Sequence, residues 1–219
     1  MSPARRAHPT RRHGQTRKWI FIGSALLLVV TLATAAYFLR PIAIDAVNTG
    51  PNEPAGFTTL KNHYISVMQN LNATQTKATM QTQLDPKFNQ TDLFTWEHGK
   101  LTFVQNPTWY EDPTQILGSG KGICVQWSIV YVSACLALNH PCRLVVAVDT
   151  STWNFIHTWA EDFYNGSWLH VDPSDSVWNN PLRYLSWDWG SGIGGQVKVY
   201  AFTDSGYLDV TQNYMPHST

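Results

Sequence analysis

The stretch FIHTWAEDFYNGSWLHVD, residues 155–172, decides the fold. Asn165-Gly166 stands between two alternating runs, and this dipeptide is the strongest short-range signal for a two-residue hairpin, whose central positions both need positive φ. Such a turn sets Tyr164 opposite Ser167 and fixes the register behind it. Trp159 then faces Asp172, and His157 lies one diagonal step from that carboxylate on the same sheet face, within reach of an aromatic side chain. One turn therefore predicts an imidazole beside an acid. Glu161 faces His170 in the same register, either extending that polar network or forming an ordinary cross-strand pair.

Upstream, CVQWSIVYVSACLAL, residues 124–138, is apolar on most sides and ends before Asn139-His140-Pro141, which predicts a buried helix stopped by proline. CRLVVAVD, 142–149, reads as an inner strand, and QVKVYAFT and YLDVT supply two more short ones. The expected fold class is α+β, one helix packed on a mostly antiparallel sheet. Cys124 would start that helix, where the positive end of the dipole and a nearby imidazolium both favour a thiolate. Cys124 as nucleophile, His157 as base and Asp172 as orienting acid satisfy the logic of a catalytic triad. Gly120 and Gly122 carry no side chain that would block a substrate backbone from the sulfur. Taken singly, a cysteine at a helix start, a histidine on a strand and an aspartate before Pro173 each have a structural reading. Together, helix start, hairpin register and chain order meet one geometric demand.

The formal charge of the 219-residue chain is zero, but its distribution is uneven. Residues 1–40 hold seven of the fifteen basic residues and no acid, leaving eight basic against fifteen acidic residues beyond. Between Trp19 and Leu39 run 21 uncharged residues, and a bilayer core asks for about 20 in a helix. The expectation is a single membrane span with the basic tail in the cytoplasm and everything after Arg40 outside. Ala33-Thr34-Ala35 also matches a signal-peptide cleavage pattern, which leaves the topology of the body the same. The basic tail directly abuts the apolar run and has no interleaved aromatics, so it reads as a topology signal and not as a nucleic-acid-binding arm.

Residues 40–56 read as a proline-rich linker. From Phe57 to Leu71 the apolar residues Leu60, Tyr64, Val67, Met68 and Leu71 recur at helical spacing. Residues 72–92 carry little periodic signal. Asn72, Asn89 and Asn165 each begin an N-glycosylation pattern, weak support for an exported body. An odd cysteine count in such a body predicts one pair and one free thiol: Cys135 and Cys142 are a candidate disulfide, or else two buried core residues, and Cys124 is left over either way. The glycines from 190 to 195 spell G-x-G-x-x-G, but a strand follows where a dinucleotide site needs a helix, and no spacing of His or Cys suits a metal. No cofactor or metal is expected. Trp187 and Trp189, in a glycine-rich loop, are candidate walls of a substrate site.

GKGICVQWS (120–128), HTWAED (157–162) and WLHVDPSDS (168–176) resemble the Cys, His and Asp motifs of the transglutaminase-like superfamily. The tail, with Pro181-Leu182 after the acid, an aromatic Trp-Gly loop, a strand ending in Ala201-Phe202 and then Asp209-Val210-Thr211, is similar to the peptide N-glycanase branch. The resemblance covers roughly residues 109–214. It implies a transglutaminase or papain-like core, catalytic roles for Cys124, His157 and Asp172, and a place for Trp127 near the oxyanion, with Gly122 beside it. Two features depart from the branch: the chain lacks its paired C-x-x-C zinc motifs, and Gln126 stands where an acid is usual.

The organisation expected is a tail (1–18), an anchor or signal (19–39), a linker (40–56), a helical and irregular lead-in (57–108) and a catalytic core (109–215). The expected activity is hydrolysis of an amide in a protein, peptide or glycopeptide through a thioacyl intermediate, at a membrane and outside the cytoplasm. Two alternatives stay open: a crosslinking transglutaminase, in which an amine resolves the intermediate, and a non-catalytic cell-surface receptor on the same fold.

Overall fold

Asn165 and Gly166 have φ of 50° and 86°, as a two-residue turn between right-twisted strands requires. In the computed structural model, which describes residues 53–181, 183 and 197–214, that turn joins β4 (Asn154–Tyr164) to β5 (Ser167–Asp172). Tyr164 pairs with Ser167, Glu161 with His170 and Ala160 with Val171, the register predicted from the dipeptide.

The described chain runs α1 (Ala55–Asn72), α2 (Thr74–Gln81), α3 (Gln90–His98), β1 (Thr102–Phe103), α4 (Pro113–Ser119), β2 (Lys121–Gly122) and α5 (Cys124–Ala137). Then come β3 (Cys142–Asp149), the β4–β5 hairpin, β6 (Val177–Trp178), β7 (Val197–Phe202), β8 (Tyr207–Asp209) and a 3-10 turn, Thr211–Tyr214. Six strands form one antiparallel sheet in the order β6-β5-β4-β3-β7-β8, while β1 and β2 make a separate parallel pair.

Every residue of α5 but Leu136 is buried. The helix lies on β3 and β4 and is itself covered by α1, α2, α3 and α4, so a helix apolar all round is what the position demands. The sheet alternates accordingly. Leu144, Val146, Val148 and Ala160 face the helices, and Val145, Ala147 and Trp159 face a second, smaller core closed by Val210 and Tyr214. This explains why CRLVVAVD reads as a continuous apolar run: both faces of β3 are covered. Phe57, Leu71, Met80 and Leu93 belong to the same core as α5. Residues 57–108 therefore build the domain together with 109 onward, and position 109 marks no structural boundary.

The helix ends follow from their caps. Asp112 Oδ1 accepts the N–H groups of Thr114 and Gln115 (2.8 and 3.1 Å) at the start of α4, Pro113 follows it, and Gly120 at φ 64° ends the helix. At α3, Asn89 and Asp92 cap each other's backbone N–H at 3.0 Å. The Asn89 acceptor of the glycosylation pattern thus has a capping role, and the Asn72 amide is hydrogen-bonded to Asp204.

Cys135 and Cys142 are buried free thiols and not a disulfide. Cys135 donates to Asp162 Oδ2 at 3.6 Å, and Asp162 stands opposite Cys142 in the sheet. Burial and the neighbouring sulfur push the Cys135 thiol well above its ordinary value, and burial raises Cys142 too, so both sulfurs keep their protons. The pair Glu161 and His170 is also absent as an ion pair: Glu161 binds Arg143 Nε at 2.5 Å and accepts from Tyr214 Oη at 2.6 Å. Arg143 comes from β3, a partner the hairpin register alone cannot supply. The expected span 19–39, and the loop with Trp187 and Trp189, lie outside the described residues. Among the described residues no helix is long and apolar enough to cross a membrane.

Candidate active site

Cys124 is the first residue of α5, and its backbone N–H belongs to the turn whose donors have no intrahelical acceptor. The helix starts there because Gln126 folds back on it. Gln126 Oε1 accepts the Ile123 N–H at 3.2 Å, and its Nε2 donates to the carbonyls of Thr108 (2.9 Å) and Tyr110 (3.4 Å). An acid at this position could accept but not donate, and its charge would face two carbonyls. The departure from the usual acid at Gln126 thus has a local reason.

Gly122 is buried, and a Cβ there would stand 2.9 Å from Gln126 Cβ and 3.4 Å from Trp127 Cδ1. Its missing side chain makes room for Gln126, which corrects the expectation that it opens the way to a substrate. Gly120 serves the left-handed end of α4. Trp127 is buried with its ring 5.3 Å from that of His98, and among the described residues its indole N–H has no hydrogen-bond acceptor.

His157 sits on β4, where the strand pairing with β3 shifts register between Ala147 and Val148. Its Nε2 lies 2.6 Å from Asp172 Oδ2. Cys124 lines the same hollow as the imidazole and acts on its charge. Burial alone would push the His157 pKa down, but the Asp172 carboxylate and the Cys124 sulfur outweigh it and push it up to about 9. At neutral pH the ring is therefore an imidazolium, paired with the Asp172 carboxylate. Asp172 is fully buried, and its second oxygen accepts from Ser174 N (3.0 Å), Ser174 Oγ (2.7 Å) and Asp175 N (3.2 Å). A carboxylate held by a backbone turn and a hydroxyl cannot swing, so it fixes the ring that it binds.

The hairpin's other histidine behaves oppositely. Burial lowers His170 to about 4, with the charge on His157 adding to the effect, and its ring packs edge-on against Trp159. His170 is a neutral neighbour and not a second base. Glu97, at the end of α3, is fully buried, and among the described residues neither carboxyl oxygen has a hydrogen-bond partner. Burial, followed by the charge of Asp172, pushes its pKa well above the carboxylate range, so it stays protonated behind the triad.

Above the sulfur lies a hollow of about 460 Å³ lined by Phe103, Cys124, Phe155, His157, Ser174 and Asp175. The three residues singled out for catalysis thus come together, with the thiol and imidazole opening into one space. Ser174, Glu97 and Phe103 were not legible beforehand, and only the short spacing from Asp172 to Ser174 hinted at any of them.

Residues 73–173 match the family model described as the transglutaminase-like superfamily. This segment is a transglutaminase-like domain. Peptide-N(4)-(N-acetyl-beta-glucosaminyl)asparagine amidase of Oryza sativa subsp. japonica is 32% identical over 104 residues, 47% of this chain and 21% of its own length. The protein of the same name in Drosophila melanogaster is 33% identical over 107 residues, 48% of this chain and 15% of its own length. The chain thus spans about a fifth or less of these two curated relatives. A chain of the Rad4/XPC nucleotide excision repair complex aligns with TM-score 0.51 at 12% identity, over 73% of this chain and 48% of that one, a likeness of fold alone. The transglutaminase-like domain therefore stands near the peptide N-glycanase branch, as its motifs had implied.

Proposed function

We propose that this transglutaminase-like domain is a cysteine-dependent amide hydrolase. The observation that carries the reading is the 2.6 Å bond from His157 to Asp172, on a ring that lines one hollow with Cys124. The reacting pair is a Cys124 thiolate and a His157 imidazolium. The Cys124 sulfur attacks the carboxamide carbon, and the oxyanion forms near the first N–H groups of α5, whose dipole favours negative charge. His157 gives its proton to the departing nitrogen as the C–N bond breaks, leaving a thioacyl enzyme and a neutral imidazole. Water then loses a proton to His157 as it attacks the thioester, and the carboxylic acid and the thiolate separate. Asp172 holds the ring and its charge throughout.

The names of the curated relatives favour the side-chain amide of a glycosylated asparagine as the bond attacked. A peptide or isopeptide amide is open to the same chemistry. The domain works outside the cytoplasm, tethered through residues 19–39, a reading supported by the 21 uncharged residues and the basic flank before them. The test is the full chain against its Cys124→Ala variant on unmodified peptides and on glycopeptides, with products read by mass spectrometry. Turnover that vanishes only in the variant establishes the thiol chemistry, and the mass of the product distinguishes aspartate formation from backbone cleavage. Equal turnover in both chains removes Cys124 from the reaction.

A further inference from the structure

Large apolar side chains are seldom left in water at the rim of a cleft without reason. Among the described residues four stand exposed: Phe103, Trp109, Phe155 and Tyr164. Three of them line one strip. Phe103 and Phe155 wall the hollow over Cys124, and Phe155 also walls a second hollow of about 280 Å³, together with Trp109, Trp153, Leu60 and His63. That volume lies just under the range of about 300–1,000 Å³ for drug-sized ligands, and suits one side chain.

The second hollow is built at a conformational cost. Trp153 has φ 58°, a left-handed backbone that a bulky residue rarely adopts. Its ring packs 5.1 Å from that of Phe57, over Gly56, where a Cβ would meet it at 2.8 Å. Strain of this kind, about 1–3 kcal/mol, persists where the surroundings hold it and gathers at binding sites.

Several polar groups around the hollow are already engaged. The Trp109 indole donates to Glu111 Oε1 at 3.1 Å, Glu111 meets His63 at 3.4 Å, and the Thr59 hydroxyl donates to the Ala55 carbonyl at 3.2 Å. A sugar ring needs donors and acceptors for its hydroxyls, and these ones are taken. Apart from the Asn154 amide at its edge, what the hollow offers is mainly the faces of aromatic rings. Phe155 lines both hollows, and in the first it stands with Cys124 and His157, so the second hollow adjoins the space over the sulfur.

We propose that this hollow is a subsite for an apolar, preferably aromatic, side chain of a peptide substrate, close to the amide that Cys124 attacks. Its distance from the scissile amide rests on the reading of Cys124 as nucleophile; its chemistry does not. The test uses the full chain carrying Cys124→Ala, which holds substrates without turnover. The probes are short blocked peptides, alanine throughout except for one Phe, Leu or Lys placed in turn at each position flanking a central asparagine. One flanking position is expected to bind about tenfold more tightly with Phe or Leu than with Ala or Lys. That preference should vanish in Trp109→Ala and persist in Trp109→Phe. Equal dissociation constants for Phe and Ala at every position would overturn the proposal, as would a preference untouched by Trp109→Ala. Competition by N,N′-diacetylchitobiose that depends on Trp109 would give the hollow to a sugar and overturn it too. A Trp109-dependent preference in a chain that cleaves nothing would uphold the subsite while the reading of Cys124 falls.

Discussion

His157 Nε2 and Asp172 Oδ2 lie 2.6 Å apart across a hairpin, on a ring that shares one hollow with the first residue of the buried helix. The contact joins a charge to its counter-charge under cover, and its consequences are measurable.

Replacing Asp172 by Asn keeps the shape and removes the charge. The drop expected in kcat/KM is on the order of 10²–10⁴, by analogy with neutralised triads. The active pair needs the imidazolium, so activity should fall as pH rises through about 9, and in Asp172→Asn that basic limb should move to lower pH. The check is a profile of kcat/KM against pH for both chains.

The same ion pair has a stability signature. The folded-state pKa of His157, about 9, lies above its ordinary 6.5, so the native state holds this proton more tightly than the unfolded chain. Its contribution is complete below about pH 6.5 and is lost as pH rises to about 9. Urea midpoints should decline across that window in the native sequence and stay flatter in Asp172→Asn.

Glu97 should behave in the opposite region. It is buried, unbonded and held protonated in the folded state, whereas the unfolded chain ionises it near 4.5. Stability is therefore given up as pH rises above about 4.5. Glu97→Gln, which keeps the shape and the neutrality, should raise the urea midpoint at pH 7 while leaving it almost unchanged at pH 4. An unchanged midpoint at pH 7 would show that Glu97 finds a charged partner in solution.

Gln126→Glu restores the acid usual in peptide N-glycanases. Here it would take a donor away from the Thr108 carbonyl and place a charge at the start of α5. A loss of about 1–3 kcal/mol is expected from the unmet buried group. The added anion also opposes thiolate at the helix start, so alkylation of Cys124 should slow. Denaturation curves and alkylation rates measure the two effects separately.

Much of this arrangement could be read from local signals. Asn165-Gly166 set the hairpin register, because a two-residue turn has few geometries. Pro141 marked the end of α5, predicted at 138 and found at Ala137. The strand 142–149 coincides with β3 because both its faces are buried. What stayed hidden was long-range. Arg143 as the partner of Glu161, Gln126 reaching Thr108, and Glu97 behind Asp172 each join residues whose proximity no local pattern states. Residues 72–92, rich in Thr, Gln and Asn, hold α2 and the start of α3, helices maintained by packing of Met80 and by the Asn89 cap more than by periodicity.

The most direct measurement is the rate at which iodoacetamide alkylates Cys124 at pH 7 in the full chain and in His157→Ala, with the labelled residue identified by peptide mapping. If sulfur and imidazole share a proton as the proposed chemistry requires, Cys124 should react first among the three cysteines, and the His157→Ala chain should react at least about tenfold more slowly. Equal rates in the two chains, with Cys124 reacting like an ordinary thiol, would contradict the ion pair and with it the proposed hydrolysis.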